Sequence, residues 1–134
     1  VSENKFVEFT DDGKNYDGKH LPGIPKTSCN LQMGWTPLPF LKGEIALSRT
    51  GSQFLDDGNS LKHPGYFLAN LKVTSRIASG KGRVLRIYAG VNNVTDTRYA
   101  SMVVVNALAT GSGEPRYYYP GQPRNGYAGV AVSF

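Results

Sequence analysis

Phe67-Leu68-Ala69-Asn70-Leu71-Lys72-Val73-Thr74-Ser75-Arg76-Ile77 is the stretch on which the fold turns. Its odd positions Phe67, Ala69, Leu71, Val73 and Ile77 are mostly large and apolar, while the even positions include Asn70, Lys72, Thr74 and Arg76. A repeat of two sends successive side chains to opposite faces of a β-strand; an amphipathic helix would instead repeat its apolar residues at i, i+3, i+4 and i+7. The same alternation recurs on both sides of this stretch. Leu85, Ile87, Ala89 and Val91 alternate with Arg86, Tyr88, Gly90 and Asn92, and Ala128, Val130, Val132 and Phe134 with Tyr127, Gly129, Ala131 and Ser133. Upstream, Thr27, Cys29, Leu31, Met33 and Trp35 alternate with Ser28, Asn30, Gln32 and Gly34, and Leu41, Ile45 and Leu47 with Lys42, Glu44, Ala46 and Ser48. Lys5–Thr10, with Phe6, Val7 and Phe9, reads as the end of a further strand. The expected fold is all-β, with five full strands and one partial one.

The connections alternate in length. Thr36–Phe40 and Ala78–Gly82 are short and rich in Pro or Gly, whereas Thr10–Lys26, Gly51–Gly65 and Val94–Arg124 are long links loaded with Gly, Asp, Asn, Tyr and Pro. Short, long, short, long is the rhythm of an antiparallel up-and-down meander with one trimmed and one elaborated end. The composition narrows the class. Cys29 is the single cysteine of 134 residues, so no internal disulfide or cysteine-built zinc site can form. The net charge is +5, but the 15 Lys and Arg are scattered and only 19% of residues are charged, which argues against a nucleic-acid partner. No stretch approaches the ~20 apolar residues of a membrane-spanning helix, and no charged-then-apolar leader opens the sequence. A membrane β-barrel passes every one of these filters, because its strands are only half apolar.

Periodicity does not say which face is wet. In a soluble all-β ligand-binding module the apolar face is the core; in an outer-membrane barrel it faces lipid and the polar face lines the lumen. Three features favour the barrel. Its habit is short turns at one end and long loops at the other. Aromatic residues (Trp35, Phe40, Tyr66, Phe67, Tyr99, Phe134) stand near strand ends, as in an interfacial girdle. The final alternating segment runs to Phe134, an end of the kind that barrel assembly reads.

Three segments then carry a family resemblance. Asp17-Gly18-Lys19-His20-Leu21-Pro22-Gly23-Ile24-Pro25-Lys26 is similar to a loop-to-strand approach, and Tyr88-Ala89-Gly90-Val91-Asn92-Asn93-Val94-Thr95-Asp96-Thr97-Arg98-Tyr99 to a penultimate strand and the turn leaving it. Tyr118-Tyr119-Pro120-Gly121-Gln122-Pro123-Arg124, followed by Gly126–Phe134, is similar to the return into a terminal strand. In this order they resemble the C-terminal part of the β-barrel of TonB-dependent outer-membrane receptors of the siderophore type, with departures at Cys29, Thr95 and Thr97. The resemblance implies that residues 1–134 are one portion of a transmembrane barrel of about 22 strands, with the plug and the N-terminal barrel strands absent. It implies a bacterial outer-membrane location and uptake of a ferric siderophore or similar metal chelate, with energy from TonB–ExbB–ExbD acting through the plug. Lipid, lipopolysaccharide and the barrel-assembly machinery are the further implied partners.

The residues give no sign of an enzyme or of a bound cofactor. Asn92, Asn93 and Asp96 suit turns with unusual backbone dihedrals. His20 and His63 sit in separate links, and Asp11-Asp12 and Asp56-Asp57 lack the spacing of a calcium loop, so solvated turn residues are expected there. Gly111-Ser112-Gly113 lacks the Lys and helix start of a phosphate-cradling loop. Arg116, Tyr117, Tyr118 and Tyr119, with Arg124, combine cations and aromatics suited to an anionic, partly aromatic ligand. Lys42, Glu44, Lys72, Arg76 and Arg86 fall on the polar face, hence toward a lumen and its plug; Tyr127, Gly129, Val132 and Phe134 belong to the strand expected to guide assembly.

Overall fold

Alternating sequence becomes strand in the computed structural model, which describes residues 3–79, 83–109 and 111–134 and contains no helix among them. In chain order the strands are β1 (Thr10–Asp11), β2 (Lys14–Asn15), β3 (Ser28–Leu38), β4 (Leu41–Thr50), β5 (Gln53–Phe54), β6 (Lys62–His63), β7 (Tyr66–Ser79), β8 (Arg83–Asn92), β9 (Ala100–Val103), β10 (Tyr118–Pro120) and β11 (Asn125–Ser133). The long strands make one five-stranded sheet in the order β11-β8-β7-β4-β3. Each pairs with the strands before and after it in the sheet, so the meander is real. β3 and β11 remain as two free edges, so the sheet is open.

Register places the two kinds of residue on separate faces. Across β7 and β8, Leu71 stands opposite Val91, Val73 opposite Ala89 and Ile77 opposite Leu85; Lys72 stands opposite Gly90 and Arg76 opposite Arg86. Across β8 and β11, Ile87 faces Val130 and Leu85 faces Val132, while Tyr88 faces Gly129 and Gly90 faces Tyr127. The apolar row is not covered. Leu31, Leu71, Ile87 and Val132 are 48%, 39%, 43% and 51% exposed. The buried side chains among the described residues, Gln53, Leu55, Asn93 and Ala100, all lie outside the five-stranded sheet. A sheet with this much apolar surface on one side and no core beneath it is built to meet a hydrophobic surrounding.

Two local features differ from expectation. Lys5–Thr10 does not extend the sheet: Lys5 forms an isolated bridge to His20, Thr10 and Asp11 pair with Asn15 and Lys14, and Phe6, Phe9 and Tyr16 pack as a local aromatic group. The first short turn contracts to Pro39-Phe40, because Thr36 and Pro37 are still strand. Proline is tolerated there because β3 is an edge strand and need not donate on both sides. Residues 80–82 of the second short turn lie outside the described residues. Cys29 is an exposed free thiol on β3.

Aromatic rings lie flat over glycines at several points. Tyr127 covers Gly90, Tyr88 covers Gly129, Trp35 covers Gly43, and Tyr99 covers Gly121. Glycine alone leaves a strand underpacked, and a ring from the neighbouring strand fills that gap. A Cβ at Gly90 would meet the Tyr127 ring and lie 2.8 Å from the Leu71 carbonyl oxygen, whereas at Gly126 the nearest atom is 3.8 Å away. Gly90→Val should therefore cost about 1–3 kcal/mol of sheet stability, while Gly126→Val is tolerated. Denaturant titration of both variants measures this; equal behaviour of the two would contradict the packing described.

Candidate functional site

By internal contacts the chain divides into a sheet unit (Asn30–Ser48, Phe67–Thr97, Gln122–Phe134) and a link unit (Val1–Cys29, Arg49–Tyr66, Arg98–Gly121). The link unit gathers most of the three long connections, and these are far from structureless. The middle one is a hairpin, β5 paired with β6, closed by the turn Leu55–Leu61. Within that turn the Asp56 carboxylate accepts hydrogen bonds from the Leu61 N–H at 2.7 Å, the Ser60 hydroxyl at 2.8 Å and the Ser60 N–H at 3.1 Å. Partial burial opposes the charge on Asp56, but these donors outweigh it and hold the carboxyl below its ordinary value.

Two asparagine side chains tie the other links to this turn. Asn59, at φ 58°, donates from Nδ2 to the His20 carbonyl at 2.8 Å and accepts the His20 N–H on Oδ1 at 2.7 Å. Asn106, at φ 50°, accepts the Asp57 N–H at 3.1 Å and donates to the Asp57 carboxylate at 2.6 Å, while its own N–H reaches the Leu55 carbonyl at 2.9 Å. Asparagine is suited to this because it tolerates the left-handed region and its amide imitates a peptide group. The Asp56-Asp57 carboxylates are thus occupied in loop structure, and no cluster of three or more metal-ligating side chains occurs among the described residues. The two histidines have different neighbours: His20 stacks on Phe54 and His63 meets Tyr118 edge-on.

The last link forms the antiparallel pair β9 and β10, with Tyr118 opposite Val103 and Tyr119 opposite Met102. Beyond its end opens a cleft of about 700 Å³ lined by Val104, Ala107, Leu108, Glu114, Arg116 and Tyr119. Its size falls within the range of small-molecule sites, and it combines an apolar wall with one cation, one carboxylate and one phenol. Of the five residues expected to bind ligand, Arg116 and Tyr119 share this cleft. Tyr117 is half-buried and its carbonyl accepts the Val104 N–H at 2.7 Å, and Tyr118 packs on His63. Arg124 belongs to the sheet unit, where its N–H donates to the Asp96 carboxylate at 2.8 Å. Glu114 and Leu108 were missed in the sequence, since a 31-residue link such as 94–124 gives no period from which to read a common lining.

In the sheet unit the turn after β8 is organised by the buried Asn93. Its N–H donates to Asn70 Oδ1 at 2.8 Å; its side chain accepts the Thr97 N–H and donates to the Thr97 and Gln122 carbonyls, all within 3.1 Å. Asn93 and Asp96 both take positive φ, as their turn chemistry leads one to expect. On the polar face of the sheet Lys42 pairs with Glu44 at 2.9 Å and Lys72 lies over the Tyr88 ring at 5.5 Å. Arg76 and Arg86 sit side by side, both exposed.

Residues 3–94 match the family described as TonB dependent receptor-like, beta-barrel. The chain belongs to that family. It is a family of outer-membrane transport receptors, not of enzymes. Among solved structures, the crystal structure of BauA, the ferric preacinetobactin receptor from Acinetobacter baumannii, is similar to this chain with a TM-score of 0.66 and 19% identity. The similarity covers 87% of this chain and 16% of the BauA chain, so this TonB-dependent receptor sequence spans about a sixth of the length of that receptor.

Two outcomes follow for the link unit. Because the Asp56 carboxyl is held below its ordinary value of 3.8, its contribution is fully present above that value and is lost as pH falls through the lower value of the folded protein. Protection of the Leu61 amide, measured against its intrinsic exchange rate at each pH, should fall over that acid window, and Asp56→Asn should abolish the step. Asn59→Ala removes two bonds to His20 and leaves alanine in the left-handed region, so exchange around residues 19–22 should rise by an amount equivalent to about 1–3 kcal/mol. Unchanged protection there would contradict the tie.

Proposed function

We propose that this chain is a C-terminal barrel portion of an outer-membrane active-transport receptor that takes up a ferric siderophore or similar metal chelate. The observation that carries this reading is the exposed apolar face of the sheet, coupled to a polar face of lysine and arginine. Family membership and the similarity to a ferric preacinetobactin receptor support it. On this reading Leu31, Leu71, Ile87 and Val132 contact acyl chains, and Lys42, Glu44, Lys72, Arg76 and Arg86 line the lumen against a plug carried elsewhere in the receptor. The long links face outward to the ligand and the lipopolysaccharide, while the short turns face the periplasm. Energy for release comes from TonB–ExbB–ExbD acting through the plug.

The ligand role falls to the cleft of the last link. Arg116 supplies a permanent cation for an anionic chelate, and Tyr119 supplies a ring and a hydroxyl. Tyr117 and Tyr118 flank these two in sequence and complete the proposed ligand-facing set of the link unit, while Arg124, which the sequence pattern grouped with them, belongs to the sheet unit. β11, with Tyr127, Gly129, Val132 and Phe134, is a free-edged strand available to the barrel-assembly machinery.

The two halves of the reading are tested separately in the full-length receptor. Ile87→Arg should cost about 2–4 kcal/mol in the bilayer and lower the folded fraction, whereas Thr74→Arg on the polar face should not. A cooperative detergent-free monomer insensitive to Ile87→Arg would instead mean a soluble module. Arg116→Ala should weaken binding of an anionic ferric chelate by roughly 10- to 100-fold, as loss of a charged hydrogen bond implies, without changing the amount of folded receptor. Unaltered affinity removes the cleft from the ligand path.

A further inference from the structure

Glu114 and Arg116 stand on either side of Pro115, and both line the cleft of the last link. Proline fixes its own φ and pushes the residue before it toward extended backbone, where side chains two positions apart point to one side. That is how the sequence brings a carboxylate and a guanidinium into the same opening. Lys42 and Glu44 share this spacing and close an ion pair at 2.9 Å. Glu114 and Arg116 do not: both are exposed, and among the described residues neither has an ion-pair or hydrogen-bond partner. The two opposite charges of the cleft are therefore both open to a ligand, beside an apolar wall of Val104, Ala107 and Leu108.

At comparable distances the two groups act on a charged ligand with comparable strength and opposite sign. A chelate that carries only negative charge gains at Arg116 and loses at Glu114, so the cleft gives it little net attraction. A chelate with anionic iron-binding oxygens and an ammonium on its rim gains at both. A carboxylate in this position discriminates by repelling the wrong class as well as by attracting the right one. We infer that Glu114 is a specificity-determining residue of the cleft, selecting ferric chelates that bear an ammonium over purely anionic ones. This rests on the reading of the cleft as the ligand site, and it adds the charge class of the ligand.

The test is equilibrium binding to the full-length receptor in detergent micelles. Its probes are ferrioxamine B, a ferric trihydroxamate with a free ammonium; its N-acetyl form, which lacks that charge; and a trianionic ferric tris-catecholate. Ferrioxamine B should bind about 3- to 10-fold more tightly than its N-acetyl form, a factor between those of an exposed ion pair and a charged hydrogen bond. Glu114→Gln, which keeps the shape and removes the charge, should erase that preference and tighten the tris-catecholate by a similar factor. Failure of both trihydroxamates to bind, equal binding of the two, a preference that survives Glu114→Gln, or a tris-catecholate affinity unmoved by it overturns the inference. A loss of tris-catecholate affinity in Arg116→Ala then leaves the ligand reading of the cleft standing, whereas Arg116→Ala without effect on any probe removes both.

Discussion

Main-chain hydrogen bonding between neighbouring strands satisfies the backbone sideways, leaving the two faces of a sheet to be settled entirely by side chains. In hydrocarbon this is the constraint that matters most, because an unpaired N–H or C=O has no water to turn to. Here β7, β8 and β11 pair over nine consecutive positions at each junction, from Leu71–Val91 to Ser79–Arg83 and from Asn125–Asn92 to Ser133–Val84. With the ladder secured, Leu71, Val73, Ile77, Ile87 and Val91 of β7 and β8 can be apolar and exposed at no backbone cost. The outer edges of β3 and β11 have no neighbouring strand among the described residues.

Curvature and close packing inside such a sheet come from an exchange of bulk between neighbours. Gly90, Gly129 and Gly43 each surrender a side chain, and Tyr127, Tyr88 and Trp35 lie down in the space. The link unit solves a different problem. Its chain segments bury little apolar surface, with Leu55 and Ala100 as the buried apolar residues among those described, and polar cross-ties from Asn59 and Asn106 hold it together.

The strands were legible because their signal is local: Leu71, Val73, Ile77 and their polar neighbours state the face without reference to anything distant. The faces were legible too, and register adds only which residues stand opposite, such as Arg76 and Arg86. The exceptions sit where local pattern and tertiary pairing part company. Phe6 and Phe9 have strand-like spacing but spend it on stacking with each other at 4.5 Å. Pro37 reads as a turn until its position on an edge strand is known. In the links the signal was composition alone. It marked Asp56-Asp57 as turn residues, yet it could not show that Asn59 would reach His20, which lies 39 residues away, or that Arg116 and Leu108 would line one cleft.

The exposed thiol on β3 gives this architecture a built-in chemical handle. Because the 134 residues hold one cysteine, a nitroxide or solvatochromic dye coupled to Cys29 reports from a single defined point on the margin strand, free of competing attachment within this sequence. Paramagnetic relaxation by oxygen, which dissolves in bilayers, against that by a water-soluble nickel chelate then gives the immersion depth of that margin directly.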